Sequence, residues 1–566
     1  MYAVLVVNIT SAVNPLMKIG TLLGGGTIGL TKMVMEEIAI SLSGGGYRAA
    51  MFHLGTLSYL NRVLLPNGKS LLDVVNTISS ISGGTITGLW YMMHVCKGED
   101  IDTCFKNLFQ ILCNVDLPQS VMNSFLEENN INNSLIRETI HFYDEVFFQG
   151  QTFGLLMDSV EKKHIHHYSA NGTDFSNGIA FRFQASRAIQ NTKPEFRYGF
   201  IGNAKHKIPR DIAAKIKLSE VLAVSSCFPG GFEPVIFPND FEFYKEDSIR
   251  EKFRNKESFD LMDGGIVDNQ GIESLLLANQ QMTYDNPQSN GNTSYPCHDL
   301  IIVSDVASPN IKQNRNFKFL STLGQMTIHK IYTKTIWGLI VSSLTTIVSA
   351  ILSLPFLSGF AFAFSVLTLL MLISVTCLKK VIDMRIKHLP IIFDVKKLYY
   401  LKFGKIAMMV QTRLTSLLTL AQSVFMKPIR QMRYNALYES SNWKNRLISN
   451  NVSELSTKGS WNWKESLPDY LKPSELMRIN SDKASKMGTT LWFTESEREK
   501  GIPEALFTCG QYTICMNLLE YIEKLKVNFS NTTDTHKQLM ECERQLRSDW
   551  MQFQSAPDFL LNIVRT

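Results

Sequence analysis

Three short glycine-containing motifs hold residue types that together could attack an ester. S-G-G-G-Y-R-A at residues 43–49 offers consecutive backbone N–H groups, S-I-S-G-G at residues 80–84 offers a serine, and D-G-G at residues 263–265 offers a carboxylate. An anion-binding loop, a hydroxyl nucleophile and a base are the groups that acyl transfer from an ester requires.

Ser82 is the candidate nucleophile. A nucleophile elbow has the pattern G-x-S-x-G, because small neighbours allow a serine on a sharp turn between a strand and a helix. Here the pattern is Ser80-x-Ser82-x-Gly84, with serine in place of the first glycine. Neither Ser79 nor Ser80 has a glycine two residues later. The alternative explanation of this spacing is a helix N-cap serine packed against glycine.

The glycines of the first motif predict an anion cradle. Consecutive glycines leave backbone N–H groups free at the start of a helix, where negative charge is stabilised. In an esterase such donors bind the oxyanion, and losing one costs about 10²–10³ in rate. The predicted oxyanion donors are the N–H groups of Gly44, Gly45, Gly46 and Gly83. A nucleotide P-loop is excluded because the G-K-[ST] ending is missing.

Arg48 follows the cradle and is the candidate substrate-binding residue. A guanidinium group can hold a phosphate through two parallel hydrogen bonds. The alternative is an ordinary helix arginine in a salt bridge.

Asp263 is the candidate for the activating base. A serine hydroxyl needs a base within hydrogen-bond reach. The alternative bases are the histidines His53, His94, His164, His166 and His167. For Asp268 and Asp305 we expect structural roles. No metal site is expected, because the histidine cluster adjoins E-K-K at residues 161–163 and has the composition of a solvated segment.

The local pattern predicts the elements that position these groups. Residues 37–42 alternate like a strand and end at the glycines, and residues 49–63 have helical periodicity. Residues 74–78 are β-branched and end at the serine motif, and residues 86–95 again look helical. A repeated strand, glycine turn and helix predicts an α/β fold with a mostly parallel sheet and active groups at the strand ends.

Composition limits the function classes. The 566-residue chain is long enough for a large core, and its net charge of +6 is spread without a basic run, so no nucleic-acid partner is expected. Its nine cysteines include no C-x-x-C pair, which favours free thiols in a reducing compartment. Residues 1–35 are apolar and glycine-containing without the features of a signal peptide.

The strongest break in composition is at residues 335–378, which contain no charged residue. As a helix this stretch would be about 66 Å long, roughly twice the hydrocarbon thickness of a bilayer. Pro355 and Gly359 near its centre predict a transmembrane helical hairpin of residues 335–354 and 359–378. A buried pair of core helices is the alternative.

The flanks of this hairpin are basic on both sides. The residues concerned are Lys330, Lys334, Lys379, Lys380 and Arg385. By the positive-inside rule both ends lie on the cytoplasmic side of a membrane, so the parts before and after the hairpin share one compartment.

At the three motifs the chain resembles the patatin-like phospholipase family, and the S-G-G-G-x-R-A form is similar to its cytosolic phospholipase A2 branch. The elbow serine matches Ser82 and the D-G-G aspartate matches Asp263. A-V-S-S-C-F-P at residues 223–229 is similar to the family's small-residue segment leading to a proline. The resemblance is specific over about residues 36–310. Ser80 and Ser43 depart from the family pattern, but neither replaces a reacting atom.

The resemblance implies a patatin-like three-layer fold and a Ser82–Asp263 dyad without a catalytic histidine, cofactor or metal ion. The expected domains are an apolar segment at 1–35, a catalytic core at 36–330, a membrane hairpin at 331–382 and a mainly helical part at 383–566 that completes the hydrolase.

The sequence therefore predicts a membrane-bound serine hydrolase that cleaves fatty-acyl esters of phospholipids or other acyl lipids through an acyl-enzyme. One alternative is an acyltransferase that uses the same dyad. Another is a non-catalytic membrane scaffold, against which the intact serine, aspartate and glycines argue.

Overall fold

The computed structural model describes most of the chain beyond residue 34. The described residues are 35–117, 119–121, 134–187, 201–254, 257–284, 298–307, 326–386, 402, 405, 408, 413, 416–417, 426–440, 442–443, 445–459, 468–527 and 534–565. The predicted N-terminal segment 1–35 therefore lies, except for its last residue, outside them.

A mixed β-sheet forms the centre of the described structure. Its strands are β1 Ile38–Leu42, β2 Val75–Ile81, β3 His167–Asp174, β4 Ile179–Ser186, β5 Ile201–Gly202, β6 Lys207–Ile208, β7 Val235–Phe237, β8 Phe259–Asp263, β9 Leu300–Asp305 and β10 Leu447–Asn451. The strand order is β10-β9-β1-β2-β3-β4-β5-β6, with β8 paired to both β3 and β7.

The strands from β10 to β3 pair in parallel, and the pairs beyond β3 are antiparallel. The predicted α/β fold is confirmed, but the sheet is mixed rather than mostly parallel. The reason is local: β3 and β4 are joined by the short turn 175–178, which can connect only antiparallel neighbours.

Helices flank the sheet and connect its strands. They are α1 Gly46–Arg62, α2 Gly83–Lys97, α3 Ile101–Asn114, α4 Leu135–Tyr143, α5 Phe153–Ser159, α6 Arg210–Ala213, α7 Leu218–Ser226, α8 Asp247–Phe253, α9 Gly265–Asp268, α10 Ile272–Tyr284, α11 Ile328–Ile351, α12 Pro355–Ile386, α13 Met426–Glu439, α14 Glu475–Lys486, α15 Glu495–Glu499, α16 Ile502–Lys526, α17 Asp534–Ser555 and α18 Asn562–Arg565. A π-helical turn, Asp144–Phe148, and 3-10 turns at Glu242–Lys245 and Asp469–Leu471 complete the set.

Different helices cover the two faces of β2, which makes the architecture three-layered. Gly88 on α2 packs against the side chain of Ser80, whereas Gly271, just before α10, packs against the hydroxyl of Ser79. Successive side chains of a strand point to opposite faces, so α2 and the start of α10 lie on opposite sides of the sheet.

The part of the chain after the hairpin contributes to the same core. Strand β10 extends the sheet beside β9. Helix α16 crosses α1 so closely that a side chain on Gly55 would collide with the carbonyl of Phe507. On the face beneath β1 and β9, Leu437 and Trp443 pack with Ile301 in one apolar cluster.

Helices α11 and α12 form an antiparallel pair. The Ser365 hydroxyl donates to that of Ser342 at 2.9 Å, and Gly338 faces Thr368. The segments Tyr332–Ile351 and Pro355–Ser374 have mean hydropathies of 1.5 and 2.3, are long enough to span a membrane and bury only 17% and 11% of their residues. Core helices would bury most of their residues, so this exposure argues against the alternative of a buried pair of core helices.

The turn between the two helices lies earlier than the sequence predicted. It occupies residues 352–354, and Pro355 begins α12. Proline fits there because the first residue of a helix needs no N–H donor. Gly359, expected to begin the second helix, therefore lies one turn inside it.

Candidate active site

Ser82 lies between β2 and α2 with a backbone conformation that serine rarely adopts. Its φ is 52° and its ψ is −122°, a strained combination for a residue with a side chain. The glycines after it are required by close packing, since a Cβ on Gly83 would collide with the carbonyl of Gly46 and one on Gly84 with that of Leu42. The sharp turn leaves the Ser82 side chain at the end of the strand rather than within the sheet.

Asp263 ends β8, which pairs with the end of β3. Its carboxylate accepts the N–H of Gly265 at 2.7 Å, and the side chain of Ser82 lies beside it. Burial raises the pKa of Asp263 to about 6, and the Gly265 N–H and the Ser82 side chain oppose the rise because they stabilise the charged form. The fold thus brings the predicted nucleophile and the predicted base close to each other.

The glycine loop at residues 43–46 lies against the serine elbow. A Cβ on Gly44 would be 3.1 Å from the Cβ of Ser82. The Gly44 N–H donates to the carbonyl of Asn269 at 3.0 Å, and the Tyr47 N–H donates to the carbonyl of Thr490 at 2.7 Å. These two bonds fix the loop from both ends.

The other predicted oxyanion donors are differently placed. The N–H groups of Gly45, Gly46 and Gly83 donate to no other group within the described part of the chain. Gly45 and Gly46 have φ values of 154° and 61°, which suit glycine. The loop therefore carries backbone donors available to an external acceptor beside Ser82.

Arg48 is buried at the first turn of α1. Its Nη1 donates to the carbonyl of Met487 at 2.7 Å, while its Nε, also buried, has no hydrogen-bond partner. Burial, and secondarily the nearby Arg430 guanidinium, lower the pKa of Arg48 to about 10, so it remains charged at neutral pH. Among the described residues Arg48 makes no salt bridge, so the alternative of an ordinary salt-bridged helix arginine does not describe its contacts there.

Four of the five histidines that were alternative bases bond to other groups. His53 contacts the hydroxyl of Ser304 and the carbonyl of Ser43, and His94 contacts the carbonyl of Trp90 and the carboxylate of Glu99. His167 contacts the Ser186 hydroxyl and His164 the Tyr91 hydroxyl. In the described hydrogen bonds, no histidine is joined to Ser82.

Several residues that support the site were not singled out from the sequence as site residues. Ser225 at the end of α7 accepts the N–H of Ser82 at 2.9 Å, and its own hydroxyl donates to the carbonyl of Asn171 at 2.7 Å. Asn171 in turn donates to the Ser79 hydroxyl at 2.9 Å. Ser225 lies in the small-residue segment A-V-S-S-C-F-P, which could have indicated it from the sequence. No sequence pattern indicated Asn269.

The part of the chain that holds this site matches a known protein family. Residues 40–276, which include Ser82, the glycine loop and Asp263, match the family model described as patatin-like phospholipase. No curated protein matches the chain.

Two solved structures of human GIVD cytosolic phospholipase A2 are among the matches. One, in complex with methyl gamma-linolenyl fluorophosphonate and terbium chloride, is 14% identical over 34% of this chain and 30% of its own, with a TM-score of 0.22. The other is 12% identical over 47% and 42%, with a TM-score of 0.27. The matched part spans less than half of either neighbour.

Proposed function

We propose that this protein cleaves fatty-acyl esters of phospholipids, with Ser82 as nucleophile and Asp263 as base. The premise is that residues 40–276 are a patatin-like phospholipase domain and that the chain is a lipid acyl hydrolase. The observation that carries the proposal is the position of the Ser82 side chain, on a strained turn, beside the buried Asp263 carboxylate.

The proposed first half-reaction forms an acyl-enzyme. Asp263 takes the hydroxyl proton as the Ser82 Oγ attacks the ester carbonyl carbon, and the carbonyl electrons move onto oxygen. When the tetrahedral intermediate collapses, the C–O bond to the lipid alcohol breaks and Asp263 returns the proton to that leaving oxygen. In the second half-reaction water takes the place of the alcohol, and the products are a fatty acid and free Ser82.

A base of this kind needs a pKa near the working pH. An unburied aspartate would be a weak proton acceptor, whereas burial brings the pKa of Asp263 to about 6. The carboxylate is then mostly ionised at neutral pH yet still basic enough to accept the serine proton.

Backbone donors of the glycine loop serve as the proposed oxyanion hole. The free N–H groups of Gly45, Gly46 and Gly83 support them as donors to the developing oxyanion. Gly44 would have to give up its bond to Asn269 to act in the same way. We assign Gly44 instead to bringing the loop close to Ser82, where any side chain would obstruct it.

Arg48 is the proposed phosphate-binding residue. Its buried cation and unpartnered Nε lie on the helix that follows the glycine loop, one turn from the oxyanion donors. A phosphate oxygen could accept from that Nε without displacing the bond from Nη1 to Met487.

The hairpin of α11 and α12 supports a membrane location. Two apolar helices long enough to span a bilayer, with basic residues at both outer ends, favour a hairpin whose ends both face the cytoplasm. The catalytic part would then meet lipid directly at the cytoplasmic surface, without first extracting it from the bilayer.

A fluorophosphonate probe tests the proposed nucleophile. Full-length protein in mixed detergent–phospholipid micelles should be labelled and should release fatty acid, whereas Ser82→Ala should do neither. Ser80→Ala is the matched control, because Ser80 bonds to Tyr168 two residues before the elbow and should keep both properties. Labelling that persists in Ser82→Ala would refute the assignment. Release of an acyl ester instead of free fatty acid, when glycerol is present, would identify an acyltransferase.

A further inference from the structure

A cluster of three charged groups, of which Arg48 and Asp305 are buried, lies next to the glycine loop, on the side of Arg48. It consists of Arg48, Asp305 at the end of β9, and Arg430 on α13. The Nε of Arg430 is 3.5 Å from an Asp305 carboxylate oxygen, and the Arg430 side chain is 18% exposed. We call these three residues the arginine cluster.

The arginine cluster is incompletely paired. Asp305 is the carboxylate acting on both guanidinium groups, and it already accepts the Gln270 side-chain N–H at 3.0 Å and the Ala307 N–H at 3.1 Å. Among the described residues the buried Nε of Arg48 has no hydrogen-bond partner, and that of Arg430 has only its 3.5 Å ion pair with Asp305. A buried donor without an acceptor costs free energy, and two neighbouring cations add repulsion, so an anion bound here would relieve both.

The cluster is positioned to act on whatever Ser82 attacks. A Cβ on Gly45 would be 3.9 Å from the Nη2 of Arg48 and in collision range of Val306, the residue after Asp305. Gly45 belongs to the same loop that places Gly44 against Ser82. An anion held by the arginines would therefore lie beside the ester that the oxyanion donors receive.

We propose that Arg430 is a second phosphate-binding residue, which with Arg48 forms a two-arginine site for the phosphodiester of a phospholipid headgroup. This proposal rests on the function proposed above. Asp305 holds Arg430 near the site in the lipid-free enzyme, and the arriving phosphate takes over part of that ion pair. The substrate class is then phosphodiester lipids, in preference to neutral glycerides.

The position of these residues along the chain gives the site a further property. Asp305 ends β9, which precedes the hairpin in the chain, whereas Arg430 lies on α13, which follows it. The headgroup site is thus assembled from both sides of the inserted hairpin. Residues 40–276 contain Arg48 but not Arg430, so the selectivity for phosphate would depend on the part of the chain that follows the hairpin.

Substrate selectivity tests the proposal. Arg430→Gln should lower kcat/KM for a phospholipid in mixed micelles by at least tenfold, mainly through KM, and should change hydrolysis of a neutral short-chain ester by less than twofold. Arg433→Gln is the matched control, since Arg433 lies on the same helix but pairs with Glu273. Equal losses on both substrates, or no loss on the phospholipid, would refute the role of Arg430.

A double-mutant cycle checks that the two arginines act on one group. Arg48→Ala and Arg430→Gln should each show the selective loss, and the double variant should lose less than the product of the two single effects. Fully multiplicative effects would show separate sites. Arg430→Lys, which keeps the charge and occupies similar space, should retain part of the phospholipid activity and serves if the glutamine variant does not fold.

Soluble competitors distinguish a headgroup from free phosphate. Glycerophosphocholine should inhibit short-chain ester hydrolysis competitively in the wild type and at least tenfold more weakly in Arg430→Gln. Stronger inhibition by inorganic phosphate than by this diester would overturn the headgroup assignment. Fluorophosphonate labelling of Ser82 should be unchanged in Arg430→Gln, so failure of this site is distinguishable from failure of the proposed catalytic function.

Discussion

The hydroxyl of Ser225 accepts the backbone N–H of Ser82 at 2.9 Å. The same oxygen lies 2.8 Å from the Thr85 hydroxyl, and Ser225 donates its proton to the carbonyl of Asn171. Ser225 thus joins the end of α7 to the serine elbow and to β3. Because the φ of Ser82 is strained, a bond that holds its N–H helps to keep this backbone conformation.

Replacing Ser225 with alanine should impair catalysis more than substrate binding. The Ser82 N–H would be left buried without an acceptor, at a cost of about 1–3 kcal/mol, and the elbow could relax. We expect kcat to fall by about tenfold or more with little change in KM. Steady-state kinetics on a short-chain ester would measure this.

Ser226→Ala is the control for that variant. The Ser226 hydroxyl bonds to the Leu222 carbonyl and to Tyr143 and does not touch the elbow. If both variants lose the same activity, Ser225 contributes only to general stability.

The pH dependence of hydrolysis should report the ionisation of Asp263. Burial raises the pKa of this carboxyl to about 6, and only its ionised form accepts the serine proton. We therefore expect kcat/KM for a short-chain ester to be level above about pH 7 and to fall about tenfold for each pH unit below 6. Burial lowers the pKa of His53, His166 and His167 to about 4. If kcat/KM fell only below about pH 4, the profile would instead indicate a histidine base.

Asp263→Asn should separate the proposed catalytic role of this carboxyl from its cost to stability. The folded protein holds the Asp263 proton more tightly than the unfolded chain does, so stability is lost as the pH rises from about 4 to 6 and stays lost above that range. The neutral amide avoids this loss, and at pH 8 we expect it to raise the free energy of unfolding by about 3 kcal/mol.

That gain should be absent at pH 4, where Asp263 is protonated. Denaturant unfolding at both pH values measures it. In the same variant, turnover should fall at least 10²-fold, since general-base help is typically 10²–10⁴-fold. A variant that is less stable at pH 8 than the wild type would contradict the raised pKa.

Local signals in the sequence were enough for the parts of the site that lie on short turns. The strand–glycine–helix pattern around the elbow predicts β2, Ser82 and α2 because a strand, a sharp turn and a helix each have their own residue preferences. Strand β1, the glycine loop and α1 follow from the same pattern. In both cases the chemistry lies within a few residues of the elements that position it.

Contacts between distant segments were not predictable in this way. Asn269 and Thr490 fix the glycine loop through their backbone carbonyls, so their side chains leave no signal. Arg430 approaches Arg48 only because β9 and α13 pack together, although the hairpin separates them in the sequence. The antiparallel half of the sheet was missed for a related reason, since strand direction depends on how neighbours pair.

The hairpin of α11 and α12 should hold the protein in the bilayer with both soluble parts on one side. Cysteines can be placed at Lys252 and Lys486, which are 57% and 58% exposed on opposite sides of the hairpin in sequence, and at Phe356, 90% exposed beside its turn. In sealed vesicles a membrane-impermeant maleimide should label the first two positions from the same face and Phe356 only from the other. Labelling of Lys252 and Lys486 from opposite faces would mean an odd number of spans between them.

Deleting residues 332–374 with a short linker should then release the protein from membranes. Phospholipid vesicle hydrolysis should fall, because the enzyme no longer meets its substrate at high local concentration in two dimensions, while hydrolysis of a soluble short-chain ester persists. The soluble ester is the decisive control, since Asp305 and Arg430 flank the deletion and the sheet must remain intact for Ser82 to react. A shortened protein that stays membrane-bound yet hydrolyses the soluble ester normally would show that another part of the chain provides the anchor.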